Sequence, residues 1–176
     1  MMKFFKFFLV TFFVLSTASV NAQLFRSSKN KAKDGTQEFN YEVSCGGVGT
    51  QGTSLIKVFS FSKKPRVAKE AAMRNAVHAI IFKGYIGNNG CSTQRPLAKS
   101  RSIELVHKEY FETFFNDGGD YMRYVNLTNN GAVGAGDIQK VSKRLFKVGV
   151  MVSVSKDELR KRLEKDGIIK GLSHGF

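Results

Sequence analysis

The clearest pattern of hydrophobic and polar positions predicts a strand followed by a long helix. Residues 55–61 alternate and are rich in β-branched and aromatic side chains, which are typical of a strand. From residue 67 to residue 82, apolar residues return every three or four positions, as on one face of a helix. Ser62 is expected to cap this helix, Pro65 suits its first turn, and Gly84 suits its end.

Three further stretches alternate between apolar and polar residues and predict strands. Residues 38–45 form the first, residues 121–127 another, and the longest runs from Lys143 to Val154. The last two are separated by residues 128–136, whose glycines and asparagines favour turns. Together they predict a hairpin with a long tip.

Two shorter helices are predicted in the second half of the chain. Residues 102–115 predict a short strand that runs into a helix, one face of which carries Tyr110, Phe111, Phe114 and Phe115. An aromatic stripe at this spacing is typical of a core rather than of a ligand site. Ser155 and Glu158 have the spacing of a capping box and predict the start of the last helix, which Gly167 is expected to end.

These elements predict an α+β domain with two layers. We expect an antiparallel sheet of four or five strands with about three helices packed on one face. Several alanines on the buried side of the long helix support this arrangement, because they let its backbone lie close to a flat surface. A cystatin-like domain or another helix-wrapped sheet is the alternative.

A glycine-rich segment follows the first predicted strand. Gly47, Gly49 and Gly52 have the spacing of the dinucleotide-binding pattern, in which amides at the start of the next helix hold a pyrophosphate. Here the next residues, 54–61, predict a strand instead. We therefore expect a hairpin or bulged connection between antiparallel strands, and neither a nicotinamide cofactor nor any other cofactor.

The N-terminus has the composition of an export signal. Lys3 and Lys6 accompany an apolar run, and residues 20–22 (Val-Asn-Ala) match a signal-peptidase site, which predicts cleavage before Gln23. The run is too short for a membrane span, and no other stretch approaches the ~20 apolar residues that a span needs. An uncleaved N-terminal anchor is the alternative.

The sequence therefore predicts three segments. These are a cleaved signal at residues 1–22, a basic flexible arm at residues 23–37 and a single α+β domain at residues 38–176. No cysteine directly follows the signal, so we expect no lipid anchor. The expected location is the periplasm of a Gram-negative envelope, or outside the cell.

The charge of the chain favours anionic partners. The formal charge is +14, of which the signal contributes two, so the exported chain carries +12. Such a field attracts phosphate-rich glycolipid, acidic polysaccharide, nucleic acid or an acidic protein. A basic surface that serves only solubility is the alternative.

Two groups of cations are candidate anion- or partner-binding residues. One lies near the start of the long helix, where cations oppose the helix dipole and a bound anion would compensate them. The other lies on the last helix, where a solvated face is the ordinary interpretation. The residues are Lys63, Lys64, Arg66 and Lys69 in the first group, and Arg160, Lys161, Arg162 and Lys165 in the second.

Cysteine and histidine chemistry is sparse. The two cysteines, Cys45 and Cys91, are expected to form one disulfide in an oxidising compartment, with two independent thiols as the alternative. The three histidines are scattered and no cysteine pair has ligand spacing, so no metal site is expected.

A hydrolase is a remote alternative. His78 lies among apolar residues of the long helix, which favours a core histidine over a general base. His107 has Glu104 or Glu109 within helical reach, but no serine or cysteine lies in a strained elbow. Asp117 and Asp120 flank two glycines and are interpreted as turn residues.

Two segments resemble a known family. One is the alanine-rich helix after a strand, residues 68–82, and the other is the long valine strand followed by Ser-x-Asp-Glu-Leu and a short helix, residues 148–163. Together they resemble the N-terminal α+β domain of the flagellar T-ring assembly protein and its outer-membrane lipoprotein relatives. The glycine-rich segment, the aromatic helix and the missing lipid-acceptor cysteine depart from that pattern. The resemblance implies an envelope-associated assembly or interaction domain without catalytic residues.

The sequence thus favours a non-enzymatic, exported envelope protein that has a structural, assembly or interaction role. An envelope protein is the expected partner, and no transmembrane segment is expected after signal removal. A basic-surface binder of anionic polymer, such as glycan, lipid head group or nucleic acid, is the alternative function.

Overall fold

The computed structural model describes residues 39–88 and 90–171 and has the predicted α+β fold. Its strands are β1 Tyr41–Cys45, β2 Ser54–Ser62, β3 Val125–Leu127, β4 Ile138–Ser142 and β5 Leu145–Val154. Its α-helices are α1 Pro65–His78, α2 Ser102–Val106, α3 Lys108–Phe114 and α4 Lys156–Lys165. A π-helical turn, Ala79–Lys83, extends α1, and short 3-10 turns lie at Asp120–Tyr124, Thr128–Gly131 and Ala135–Asp137.

All strand pairs are antiparallel, and β5 lies at the centre of the sheet. β1 pairs with β2, and β2 pairs with almost the whole length of β5. The other edge of β5 is shared, because β3 pairs with its C-terminal end and β4 with its N-terminal end. The predicted antiparallel sheet of four or five strands is confirmed. The sheet is curled, so a two-layer description is approximate.

The core lies between α1 and one face of β2 and β5. Along β2 buried residues alternate with half-exposed ones, and the even-numbered residues of β5 from Val148 to Val154 are buried. The alanines of α1 and its π-helical turn that face the sheet are fully buried: Ala68, Ala72, Ala76 and Ala79. Their small side chains let the helix backbone approach the strands closely, as predicted.

Gly84 ends the helical segment, as predicted. Its φ is 66°, a conformation that glycine adopts without steric cost. A Cβ at this position would lie 2.2 Å from the backbone oxygen of Gln94. The turn after α1 therefore needs glycine for space as well as for conformation.

The glycine-rich segment after β1 is a hairpin connection, as predicted. β1 and β2 are antiparallel, with Cys45 opposite Ile56. Gly47 and Gly52 have φ values of 145° and 77°, which suits a tight connection between two strands.

The predicted strand within residues 102–115 is wrong. Helices α2 and α3 occupy this stretch. The apolar residues Leu105 and Val106 lie on a short helix, where they are 77% and 74% exposed. The aromatic face was predicted correctly as core, since Phe111, Phe114 and Phe115 are buried and Tyr110 packs against them.

The predicted strand at residues 121–127 is mostly wrong as well. A 3-10 turn occupies Asp120–Tyr124, and only Val125–Leu127 pairs with β5. The strand that forms the hairpin with β5 is instead β4, whose five residues are all exposed. Because neither face of β4 is buried, its sequence carries no apolar alternation that would reveal it.

Both predicted helix caps are wrong in detail. Ser62 is the last residue of β2, and Lys64 occupies the N-cap position of α1, with Pro65 in the first turn as predicted. Ser155 is the N-cap of α4 but makes no side-chain capping bond. Instead the backbone N–H of Asp157 donates to the backbone oxygen of Gly52, 3.1 Å away, so tertiary contact replaces the capping box.

The predicted disulfide between Cys45 and Cys91 is confirmed. It joins the end of β1 to the loop after α1, with the two Cα atoms 6.3 Å apart. The bond closes a sequence separation of 46 residues. On the chain-entropy model such a closure contributes about 4 kcal/mol to stability.

Some predictions lie outside the described residues. These are the signal at residues 1–22 and the basic arm at residues 23–37. Within the described part of the chain, no helix is long and apolar enough to cross a membrane.

Candidate functional site

The β2–α1 connection and the β4–β5 turn lie at the same end of the sheet. Ser62, the last residue of β2, pairs with Phe146 near the start of β5, and Lys140 of β4 pairs with the same Phe146. The residues at and beyond these pairs are therefore neighbours at one sheet end. We call their exposed cations the basic end: Lys63, Lys64, Arg66, Lys140, Lys143 and Arg144.

The basic end carries a concentrated positive charge. Arg66 pairs with Glu70 at 3.3 Å, and both side chains are exposed, so the pair contributes only ~0.3–0.5 kcal/mol. Six exposed cations thus lie at this end of the sheet, and Glu70 offsets the charge of Arg66. The first turn of α1 contains no acidic residue, so the positive end of the helix dipole adds to the field.

Lys69, predicted together with these residues, turns toward a different segment. It is half-exposed, and its Cε would lie 2.7 Å from a Cβ built on Gly131. Its aliphatic chain therefore covers the 3-10 turn that follows β3. Lys69 is left out of the basic end for this reason.

The predicted group on α4 is mostly paired with carboxylates. Arg160 lies 3.5 Å from Glu164, and Lys161 lies 2.8 Å from Glu158. Arg162 contacts both Asp120, at 3.0 Å, and Asp166, while Lys165 is exposed. α4 also begins beyond the C-terminal end of β5, whereas the basic end lies at its N-terminal end. The structure therefore does not merge the two predicted groups into one site.

Three residues of the basic end were missed at the sequence level. Lys140, Lys143 and Arg144 are distant in sequence from α1, and only strand register brings them close. The signal that could have found them is the Lys143-Arg144 pair directly before the alternating residues of β5, at the position of a two-residue turn. Recognition of that hairpin depends on β4, which the hydrophobic pattern does not show.

A second cluster surrounds His78 at the end of α1. The Nδ1 atom of His78 lies 2.7 Å from the hydroxyl oxygen of Tyr41, and its Nε2 atom lies 3.1 Å from a carboxylate oxygen of Glu104. Phe39 stacks on the imidazole with ring centroids 3.7 Å apart. Phe39 holds a φ of 53°, which is strained for a bulky residue, so tight packing stabilises this position.

Burial controls the protonation of this cluster. Burial lowers the pKa of His78 to about 3, and the charges of Arg74, Lys83 and Arg101 lower it too. These effects outweigh the attraction of the Glu104 carboxylate for a proton on the ring. A neutral ring satisfies both contacts, because Nε2–H donates to Glu104 while Nδ1 accepts the O–H of Tyr41.

Tyr41, His78 and Glu104 form a chain of hydrogen bonds that resembles a nucleophile–base–acid arrangement. The Tyr41 hydroxyl, however, is unsuited to act as a nucleophile. Burial, together with the Glu104 carboxylate, raises the pKa of Tyr41, and its side chain is only 5% exposed. A phenol in this state neither ionises readily nor reaches a substrate. We interpret the cluster as a structural contact that joins β1, α1 and α2, which agrees with the predicted core histidine.

The remaining chemical candidates do not converge. Glu104 bonds to His78 rather than to His107, which lies half-exposed between α2 and α3. Asp120 starts a 3-10 turn, as expected for a turn residue, and pairs with Arg162. Among the described residues, no group of three or more histidine, cysteine, aspartate or glutamate side chains could hold a metal ion.

Comparison of the chain with protein-family models, with curated proteins and with solved structures finds no significant match. The resemblance to the flagellar T-ring assembly domain therefore stays a prediction. Conclusions about function rest on the geometry of the chain itself.

Proposed function

We propose that this is a non-enzymatic, exported envelope protein that binds an anionic polymer through its basic end. The observation that carries the proposal is the convergence of six exposed cations from two separate connections at one end of the sheet. A cluster of like charges is unfavourable for the fold on its own, and a polyanion would relieve the repulsion.

Export is the second part of the proposal. The Cys45–Cys91 disulfide supports it, because such bonds persist mainly in oxidising compartments. The N-terminal pattern at residues 1–22 supports it independently. N-terminal sequencing of the protein recovered from the envelope fraction should begin at Gln23, and recovery of intact Met1 would contradict cleavage.

A pair of triple variants tests the binding site. The first removes three charges at the basic end (Lys63→Gln, Lys143→Gln and Arg144→Gln). The matched control removes three charges from α4 (Arg160→Gln, Lys161→Gln and Lys165→Gln). With inorganic polyphosphate as the probe at low salt, we expect the first variant to bind at least about tenfold more weakly, since each charge at a contact contributes to affinity.

The control should retain most of the wild-type affinity, because two of its cations are already paired with carboxylates on the same helix. Equal losses in the two variants would show that net charge alone governs binding, and would contradict a defined site.

A protein partner in envelope assembly is the second candidate function. Leu105 and Val106 are 77% and 74% exposed side by side on α2, and large apolar side chains in this state favour a protein contact. The resemblance to an assembly domain supports the same function. A partner that the wild-type protein captures from the envelope at high salt should not bind the double variant Leu105→Ser, Val106→Ser. Capture of the same partner by this variant would contradict a protein contact at these two residues.

A further inference from the structure

The face of the sheet opposite the core carries an aromatic strip that leads to the basic end. The odd-numbered residues of β2 point away from the core and are half-exposed. The aromatic strip consists of Phe59 and Phe61 on β2, with Lys57 on the same strand and Lys147 on β5. Phe61 is two residues before Lys63, so the strip ends where the basic end begins.

The two rings are in contact with ammonium groups. The Nζ atom of Lys147 lies 4.8 Å from the ring centroid of Phe59 and 5.8 Å from that of Phe61. The Nζ atom of Lys57 lies 5.5 Å from the centroid of Phe59. Gly149 lies opposite Phe59, and a Cβ there would meet the ring at 2.6 Å, so this glycine makes room for the ring on the sheet.

The aromatic strip has no net charge of its own. Lys57 pairs with Asp137 at 2.6 Å, and Lys147 pairs with Glu42 at 2.6 Å. A polyanion that offers only charge therefore gains little by extending from the basic end onto this face. What the strip adds is the two rings, which favour a polymer that carries flat groups as well as charges.

We propose that the aromatic strip stacks the bases of a single-stranded nucleic acid whose phosphates lie on the basic end. The inference rests on the proposed function, since the basic end supplies the charge. Phe59 and Phe61 are two residues apart on one strand face, which places them ~7 Å from each other and suits two successive unstacked bases.

The lysines that lie over the two rings move aside in such a complex. Stacking of a base on an aromatic ring is stronger than an exposed cation–π contact, so a base replaces the ammonium group over the ring. The ammonium groups of Lys57 and Lys147 then lie beside the bound strand and stay paired with Asp137 and Glu42. Aromatic rings alternating with cations are the pattern of sequence-tolerant single-strand binders.

A fluorescence experiment tests the stacking directly. The chain contains no tryptophan, so Phe61→Trp introduces a single reporter in the strip. A ten-nucleotide oligothymidylate should quench its emission, and inorganic polyphosphate of equal charge should bind without quenching. Bound oligothymidylate that leaves the emission unchanged would overturn the inference.

Affinity measurements with matched variants add a second test. Phe59→Leu and Phe61→Leu should each weaken oligothymidylate binding by about tenfold and leave polyphosphate binding unchanged. The control is Phe146→Leu, the same change on the core face of β5, which should not alter the preference between the two probes. Equal affinity of wild-type protein for both probes would also overturn the inference.

The outcomes separate this inference from the proposed function. Binding of both polymers with no contribution from the rings keeps the basic end as an anion site and removes the aromatic strip from it. Binding of neither polymer at low salt would overturn both. Quenching by an acidic glycan but not by the oligonucleotide would assign the strip to a sugar polymer and overturn the nucleic-acid inference.

Discussion

At the residue scale, the cluster around His78 has the clearest physical consequence, which is a pH dependence of stability. Its imidazole is neutral because burial and neighbouring cations lower its pKa to about 3. The unfolded chain binds a proton near the ordinary histidine pKa of about 6.5. Between these two values the unfolded state holds more protons than the native state, so stability rises with pH across this window and is fully present above it.

We predict that His78→Gln flattens this pH dependence. Between pH 6.5 and pH 5 the wild-type protein should lose stability with a slope of up to ~1.4 kcal/mol per pH unit from this group, and the variant should lack that slope. Urea unfolding at several pH values measures both. His107→Gln, a change at a half-exposed histidine, is the control, and a slope in His78→Gln equal to that of the wild type would contradict the assignment.

Gly84 gives a second prediction at this scale. We expect Gly84→Ala to destabilise the fold by several kcal/mol, because it combines a positive φ with a Cβ 2.2 Å from a backbone oxygen. Gly90→Ala is the matched control: φ is 85° there, but a Cβ meets no atom within 4 Å, so only the ~1 kcal/mol conformational cost applies. Equal shifts of the urea midpoint in the two variants would contradict the steric explanation.

At the scale of elements, the disulfide joins the β1–β2 hairpin to the loop after α1. We predict that the double variant Cys45→Ser, Cys91→Ser loses up to about 4 kcal/mol of stability, the loop-closure contribution for this separation. Denaturant unfolding with and without a reductant measures this. Reductant should lower the denaturant midpoint of the wild-type protein and leave the midpoint of the variant unchanged. A wild-type midpoint that stays the same after reduction would contradict a stabilising bond.

The elements that were predictable are those that bury one face. β2, β5 and α1 show alternation or helical spacing because their apolar residues meet the core, and the sequence pattern places all three. β4 was missed because all of its residues are exposed, and α2 was taken for a strand because Leu105 and Val106 are apolar without being buried. The hydrophobic pattern of a sequence reflects burial. It therefore gives no signal, or a wrong one, for an element that lies on the surface.

The candidate site was predictable only in part, for a related reason. Lys63, Lys64 and Arg66 are close in sequence and were predicted, with Lys69, as a cationic group. Lys140, Lys143 and Arg144 join them through the strand register of β2, β4 and β5, which composition and spacing do not contain. On α4 four cations were predicted as one group, and the helical contacts show that three of them pair with carboxylates.

At the scale of the whole molecule, charge is distributed unevenly over the described surface. α4 carries cations that pair with carboxylates on its own helix, whereas the basic end brings six exposed cations together at the opposite end of β5. The aromatic strip, which has no net charge, lies on the sheet face next to that end. The basic end is therefore the central feature of the functional proposal.

The most direct test is the salt dependence of polyphosphate binding by the wild-type protein and by the basic-end triple variant. If four to six cations contact phosphates, a plot of log affinity against log salt concentration should have a slope of about −3 to −5 for the wild type. The variant should lose about two to three units of that slope, since three contacts are removed. A wild-type affinity that is indifferent to salt, or a variant slope equal to that of the wild type, would contradict binding at the basic end.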